Sequence, residues 1–232
     1  MKTEINPITG GANMARRSFL RYAGASAAAV AVMGAAASCS KNDRVIVTPG
    51  GGADIGSGDP GILNYAYALE QLEAAFYLQV IATPYSGIST IETSYLTDIR
   101  DHEVVHRDFF KAALGSKAIT ALTPDFSKID FSSRDKVLAA AKAFEDLGVQ
   151  AYDGAGYLIK DAGYLTIAGK IVSVEARHAA LISNLISPGT FVPADQVNSD
   201  GLNKSASIAE VLAQANTYLK TKVSAVNYNY KP

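Results

Sequence analysis

The chain has 232 residues, with 21 Lys and Arg against 22 Asp and Glu, a net charge of −1. It is long enough to bury a full core as one or two domains, and without a basic stripe between aromatics it argues against nucleic acid as a partner. Its single cysteine, Cys39, excludes an intrachain disulfide and any cysteine-based metal or redox centre.

Residues 1–39 read as an address rather than as structure. Arg16-Arg17-Ser18-Phe19-Leu20-Arg21 precedes an apolar, alanine-rich run from Tyr22 to Ala37, basic at its front and short for a membrane span. The adjacent arginines resemble a twin-arginine export signal, although Ala15 stands where such signals usually carry Ser or Thr. An uncleaved anchor helix is the alternative. Ala36-Ala37-Ser38-Cys39 resembles a bacterial lipobox, with Ala36 where Leu is commoner. That resemblance implies a lipidated Cys39 as the mature N-terminus, tethered to a membrane; cleavage nearby by an ordinary signal peptidase is the other reading. The expected location is the bacterial cell envelope, either periplasmic or as a membrane-anchored lipoprotein. Residues 40–59 turn polar and then Gly-rich (Pro49 to Gly58), a composition that predicts a flexible tether.

Residues 60–187 carry four helical patterns. Asp59-Pro60 reads as a cap with an N1 proline, and the first helix is predicted from Gly61 to Ala82 with Ala66, Leu69, Glu70, Glu73, Tyr77 and Val80 facing inward. The second runs from Ile91 to Leu114, where Leu96, Ile99, Glu103, His106, Phe110 and Leu114 share one face; Gly115 is its natural stop. The third is predicted over Arg134 to Lys160 with Leu138, Ala141, Glu145, Val149, Tyr152, Gly156 and Ile159 aligned. The fourth, Tyr164 to Ile186, aligns Ala168, Ile171, Glu175, His178, Ile182 and Ile186. Residues 188–232 form a C-terminal loop, a fifth amphipathic helix from Ser205 to Val223, and a tail. The first–second and third–fourth links are short, so each pair is an antiparallel hairpin. The middle link of about 18 residues reaches up to about 60 Å when extended, enough to travel the length of a bundle.

Each stripe is interrupted by a residue able to bind metal. Two of the three histidines sit three positions after a glutamate, in Glu103-Val-Val-His106 and Glu175-Ala-Arg-His178. On a helix that spacing puts carboxylate and imidazole on one face, a turn apart. The other two stripes offer Glu70 and Glu145. Unpaired buried carboxylates are costly, so these interruptions require partners. The halves also repeat: Leu69-Glu70-Gln71-Leu72 parallels Phe144-Glu145-Asp146-Leu147, and a tyrosine follows seven residues later in each, Tyr77 and Tyr152. Glu73 faces inward too, but its counterpart is Gly148, so the repeat selects Glu70 and leaves Glu73 as an additional or substitute ligand. His102 lies about 100° from the ligand direction and reads as a surface histidine or one supporting the site from outside.

One Glu from each of two helices plus a Glu-x-x-His from each of the other two is the ligand rule of ferritin-like dimetal bundles. The chain resembles the ferritin-like superfamily over Asp59 to Ser187, most closely its exported bacterial branch that includes desiccation-related proteins. The resemblance is carried by Leu-Glu-Gln-Leu-Glu-Ala-Ala-Phe-Tyr77, Asp-His-Glu-Val-Val-His106, Phe-Glu-Asp-Leu-Gly-Val-Gln-Ala-Tyr152 and Val-Glu-Ala-Arg-His178. It implies an all-α, ferritin-like four-helix bundle of two antiparallel hairpins joined by one long crossover, followed by the C-terminal fifth helix. It also implies two divalent metal ions held by Glu70, Glu103, His106, Glu145, Glu175 and His178, with one or both Glu-x-x-His carboxylates bridging. Four carboxylates balance two divalent ions, and the carboxylate–imidazole set suits iron first and manganese second. Tyr77 and Tyr152 are expected to hydrogen-bond the ligating carboxylates across the bundle, with plain aromatic packing as the alternative. A buried Glu–His network without metal is the alternative for the six.

The expected function is redox chemistry with O₂ or a peroxide in envelope stress protection, with a separate electron donor because the chain has no thiolate iron centre of its own. A non-catalytic stress or desiccation protein with structural metal is the second reading, and manganese-catalase-like disproportionation of peroxide the third. A homodimer is an assembly left open.

Overall fold

The structure, a computed structural model, describes residues 52–232. The twin-arginine segment, Cys39 and the first part of the tether lie outside the described residues. Four long helices follow one another: α1 (Gly58–Ala82), α2 (Thr90–Leu114), α3 (Arg134–Ala155) and α4 (Ala162–Ile186). A shorter α5 (Ile208–Ala215) follows them, and a two-residue strand β1 (Ala53–Asp54) pairs in parallel with β2 (Val223–Ser224). α1 packs mainly on α2 and α3 on α4, and α1 meets α3 to close the bundle. This is the ferritin-like arrangement of two hairpins with one crossover. Among the described residues no helix is long and apolar enough to cross a membrane.

The helix starts follow from their capping residues. Ser89 and Glu92 form a reciprocal box at α2, in which the Glu92 N–H donates to Ser89 Oγ and the Ser89 N–H to Glu92. Ser133, Asp161 and Ser207 accept from the first turns of α3, α4 and α5. Arg134 then ties both hairpins together, donating to Glu92 (2.7 Å) and to the Leu185 carbonyl (2.9 Å). Gly115 ends α2 with φ +54°, as its position predicts.

α1 is buried on nearly every side, well beyond its predicted stripe, and includes Tyr65, Tyr67, Ala68, Leu72 and Phe76. The reason is that α5, the β pair and the crossover cover its outer face. Buried polar groups on α1 fix that cover. Asn64 donates to the Lys117 and Ile55 carbonyls and accepts from the Ile119 N–H (2.9 Å), while Gln71 accepts from the Leu122 N–H (2.8 Å). These bonds satisfy backbone groups of the crossover and of the segment before α1.

Four boundaries differ from expectation. Residues 53–58 are not tether: Ile55 is 1 % exposed, and Asp54 accepts from Gly56 N–H, Ser224 Oγ and Val226 N–H. α1 therefore begins at Gly58, and Asp59 does not cap it; its carboxylate accepts from the N–H groups of Lys160 and Asp161 instead. α3 ends at Ala155 in a 3₁₀ turn, Gly156–Leu158. The fifth helix is far shorter than Ser205 to Val223. At Asn216 the side chain exchanges two hydrogen bonds with the Val223 backbone, turning the chain so that β2 can pair with β1.

Candidate metal centre

The four long helices deliver one acidic side chain each to the bundle axis, and α2 and α4 add an imidazole. Glu70, Glu103, Glu145 and Glu175 are each 0 % exposed, and His106 and His178 are buried with them. Their ligand atoms form two overlapping groups: Glu70, Glu103, His106 and Glu175, and Glu103, Glu145, Glu175 and His178, each within 4.8 Å. Glu103 and Glu175 belong to both. His106 Nδ1 lies 2.9 Å from Glu175 Oε1, 3.5 Å from Glu70 Oε2 and 3.7 Å from Glu103 Oε2. His178 Nδ1 lies 2.8 Å from Glu103 Oε1, 3.4 Å from Glu145 Oε2 and 3.7 Å from Glu175 Oε2. The sequence repeat thus becomes a local two-fold relation, in which each shared glutamate turns one oxygen to each imidazole.

The tyrosines cross the bundle. Tyr77 of α1 donates to Glu145 Oε1 of α3 (2.5 Å), and Tyr152 of α3 donates to Glu70 Oε1 of α1. This pairing requires α1 and α3 to run antiparallel. Each outer glutamate has one oxygen held by a phenol and the other free to face the axis. Residues 58–188 match the family model of the ferritin-like domain, from the first residue of α1 to just past α4. The chain belongs to that family. No curated protein matches it.

Within this ferritin-like domain eight side-chain atoms at the axis lack a hydrogen-bond partner: Glu70 Oε2, both oxygens of Glu103 and Glu175, Glu145 Oε2, and Nδ1 of His106 and His178. The ion-pair distances above are therefore close approaches without hydrogen-bond alignment. Such atoms are costly when buried apart from water. Eight lone-pair donors converging without donors of their own are the environment a pair of cations satisfies, and the clusters can hold metal ions. Oxygen and imidazole donors without sulfur suit first-row divalent metals.

The same crowding sets the proton balance of the metal-free site. Burial and then the Glu175 charge push Glu103 up to about 8. Burial works against Glu175 as well, but His106 and His178 on either side outweigh it and hold Glu175 down at about 2. Burial opposes the charged form of His178, yet Glu145, Glu103 and Glu175 raise it to about 12; Glu70, Glu103 and Glu175 raise His106 in the same way. Burial and the adjoining carboxylates keep Tyr77 and Tyr152 neutral, so both act as donors. Two protonated imidazoles thus stand in for cations, and metal must displace those protons.

Glu73 is buried beside the site but belongs to neither group of four. Burial and the four axial carboxylates push its pKa far up. It fits because residue 148 is glycine: a Cβ there would lie 3.0 Å from Glu73 Oε1 and 3.8 Å from Glu175 Oε2. His102, off the ligand direction as expected, reaches His178 from outside. Its Nδ1 is 2.9 Å from His178 Nε2, with the two rings nearly coplanar, edge to edge, and their centres 5.1 Å apart. The sequence signal for that contact was its place one turn before His106, which says nothing about which imidazole it meets.

The two ends of the site are packed differently. Beyond Tyr77 lie Phe76, Phe126, Phe131 and Phe144, a contiguous aromatic cluster. Beside Tyr152 an apolar cavity of about 20 Å³ is lined by Leu63, Ala66, Leu69, Phe110 and Ala155. That is room for about one water-sized molecule.

Proposed function

We propose that this chain is an exported ferritin-like dimetal protein whose two divalent ions, iron or manganese, do redox chemistry with O₂ or a peroxide in protection of the cell envelope. The observation that carries the reading is the set of eight unpartnered donor atoms at the bundle axis. Glu70, Glu103, His106 and Glu175 would hold one ion and Glu103, Glu145, Glu175 and His178 the other, with Glu103 and Glu175 shared. Two such ions would together supply two-electron redox chemistry.

The chain's own groups do the rest. Tyr77 and Tyr152 hold the outer carboxylates in place, so their inner oxygens need not reorganise when the charge at the axis changes. The aromatic cluster closes one end against water, while the apolar cavity beside Tyr152 offers a small uncharged molecule a resting place near Glu70. Since Cys39 is the only cysteine, electrons would come from a separate donor. The arginine pair and Cys39 support export by the twin-arginine route and a lipid tether to the membrane, and with them the desiccation-related branch of the family.

Metal analysis of the full-length protein from a native host, followed by O₂ and H₂O₂ turnover, tests this. Two metals per chain are expected, with the stoichiometry reduced in His106→Ala and in His178→Ala. Wild-type stoichiometry in both variants would overturn the site. Bound metal without turnover of either oxidant would make its role structural, and manganese with rapid O₂ release from peroxide would make the protein catalase-like. Cys39→Ser should release the protein from membranes, and retention would sink the lipoprotein reading.

A further inference from the structure

The two halves of the site repeat in their ligands but not in what stands behind them. His178 turns Nδ1 to the axis and Nε2 outward, where His102 Nδ1 lies 2.9 Å away. His102 is exposed on the outside of α2. Since Glu103 corresponds to Glu175, the residue before each corresponds too: His102 on α2 matches Val174 on α4. A valine has nothing to offer the outer nitrogen of His106. Among the described residues, one imidazole therefore has a side-chain acceptor behind it and the other does not.

A histidine that gives its Nδ1 lone pair to a cation must carry its ring proton on Nε2. An acceptor fixed at Nε2 selects that tautomer and sets the ring plane. His102 can fill this role because its Nδ1 is then the acceptor and its own proton sits on Nε2, toward water. The rings lie nearly in one plane, 9° apart, edge to edge with their centres 5.1 Å apart. The His178 Nε2–H therefore points in-plane at the His102 Nδ1 lone pair, and rotating His178 about its Cβ–Cγ bond would break that bond.

Resting on the dimetal reading above, we propose that His102 is a positioning residue for His178, which makes the Glu145–His178 position the tighter of the two cation positions and the first to fill. The six ligands of the two halves are matched, so the inequality rests on His102 and the valine that stands in its place on α4.

Titrating the metal-free full-length protein with Mn²⁺, followed by EPR, and with Co²⁺, followed by its visible bands, tests this. The wild type should take up two ions in two resolved steps. His102→Ala should weaken the first step about 10–100-fold and leave the second within about two-fold. His102→Gln, whose amide oxygen can accept from His178 Nε2–H, should restore most of the loss, which a merely structural role of the ring would not allow. In a His106→Ala background the remaining site should still respond to His102→Ala; in a His178→Ala background it should not. Equal weakening of both steps, or no change in either, would overturn the proposal while leaving the dimetal reading intact. A wild type that takes up neither ion would overturn that reading and this one with it.

Discussion

Replacing Tyr77 by phenylalanine removes one oxygen from a fully buried site and little else. The ring of Tyr77 is 0 % exposed and packs edge-on against Phe76 at 5.0 Å, a contact that phenylalanine keeps. What is lost is the donor to Glu145 Oε1 at 2.5 Å. A hydrogen bond to a charged acceptor contributes about 1.5–3 kcal/mol, and the carboxylate oxygen left behind has no water to turn to. At about 2–4 °C per kcal/mol for a domain of this size, melting should fall by about 3–12 °C. Metal affinity should also drop by about 10–100-fold, because Glu145 loses the group that aims its other oxygen. Tyr152→Phe should behave alike at Glu70, since the pairing is reciprocal. Tyr157, 82 % exposed, provides the control. Melting followed by circular dichroism, with and without Mn²⁺, reads both effects. If Tyr77→Phe matched Tyr157→Phe in both measurements, the tyrosines would be packing residues and the argument would fail.

The metal-free protein should lose stability as pH rises from 5 to 8. Glu103 is raised from 4.5 to about 8 and His178 from 6.5 to about 12, so the folded chain holds a proton the unfolded chain has released at Glu103 across that window and at His178 above about pH 6.5. Each such proton costs about 1.4 kcal/mol per pH unit, whereas Glu175, lowered to about 2, changes nothing there. Melting in chelator should therefore fall over this range and rise with Mn²⁺ present, because ions bind the deprotonated ligands; a rise in chelator would refute the proton balance. Two helical glycines should respond oppositely to alanine. A Cβ at Gly154 would lie 1.9 Å from the Ala206 carbonyl oxygen, so Gly154→Ala should cost about 3 kcal/mol in denaturant unfolding despite its better helix propensity. Gly169 on α4 has open space, and Gly169→Ala should stabilise by about 0.5–1 kcal/mol; equal effects would refute the contact. Asn64→Ala strands the Ile119 N–H and two carbonyls and should cost about 3 kcal/mol, with faster hydrogen exchange at Ile119 than at α2 amides.

The local features of the sequence determined a great deal. Spacing at three, four and seven residues is a property of one helix, so the inward faces and the Glu-x-x-His pairs were legible without neighbours. The repeat carried the grouping further: it matched Glu70 to Glu145 and Tyr77 to Tyr152 because duplicated helices keep their faces. The Ser89–Glu92 box at the start of α2 is equally local, although the cap read in the sequence was Asp59, whose carboxylate accepts from the Lys160 and Asp161 N–H groups instead.

Contacts between distant segments were decided only by the tertiary structure. The Gly-rich stretch before α1 looked unable to pack, yet the Ala53 N–H donates to the Lys222 carbonyl and Asp54 accepts from Ser224 Oγ, some 170 residues away. A pairing of two residues leaves no periodicity to read. The same pairing ended the fifth helix early, through Asn216 rather than through any breaker in the sequence. That Glu73 stays buried beside the axis depends on the missing side chain at Gly148, on another helix. Which imidazole His102 backs was likewise open along the chain, because helix geometry gives a direction while only packing supplies what lies in it.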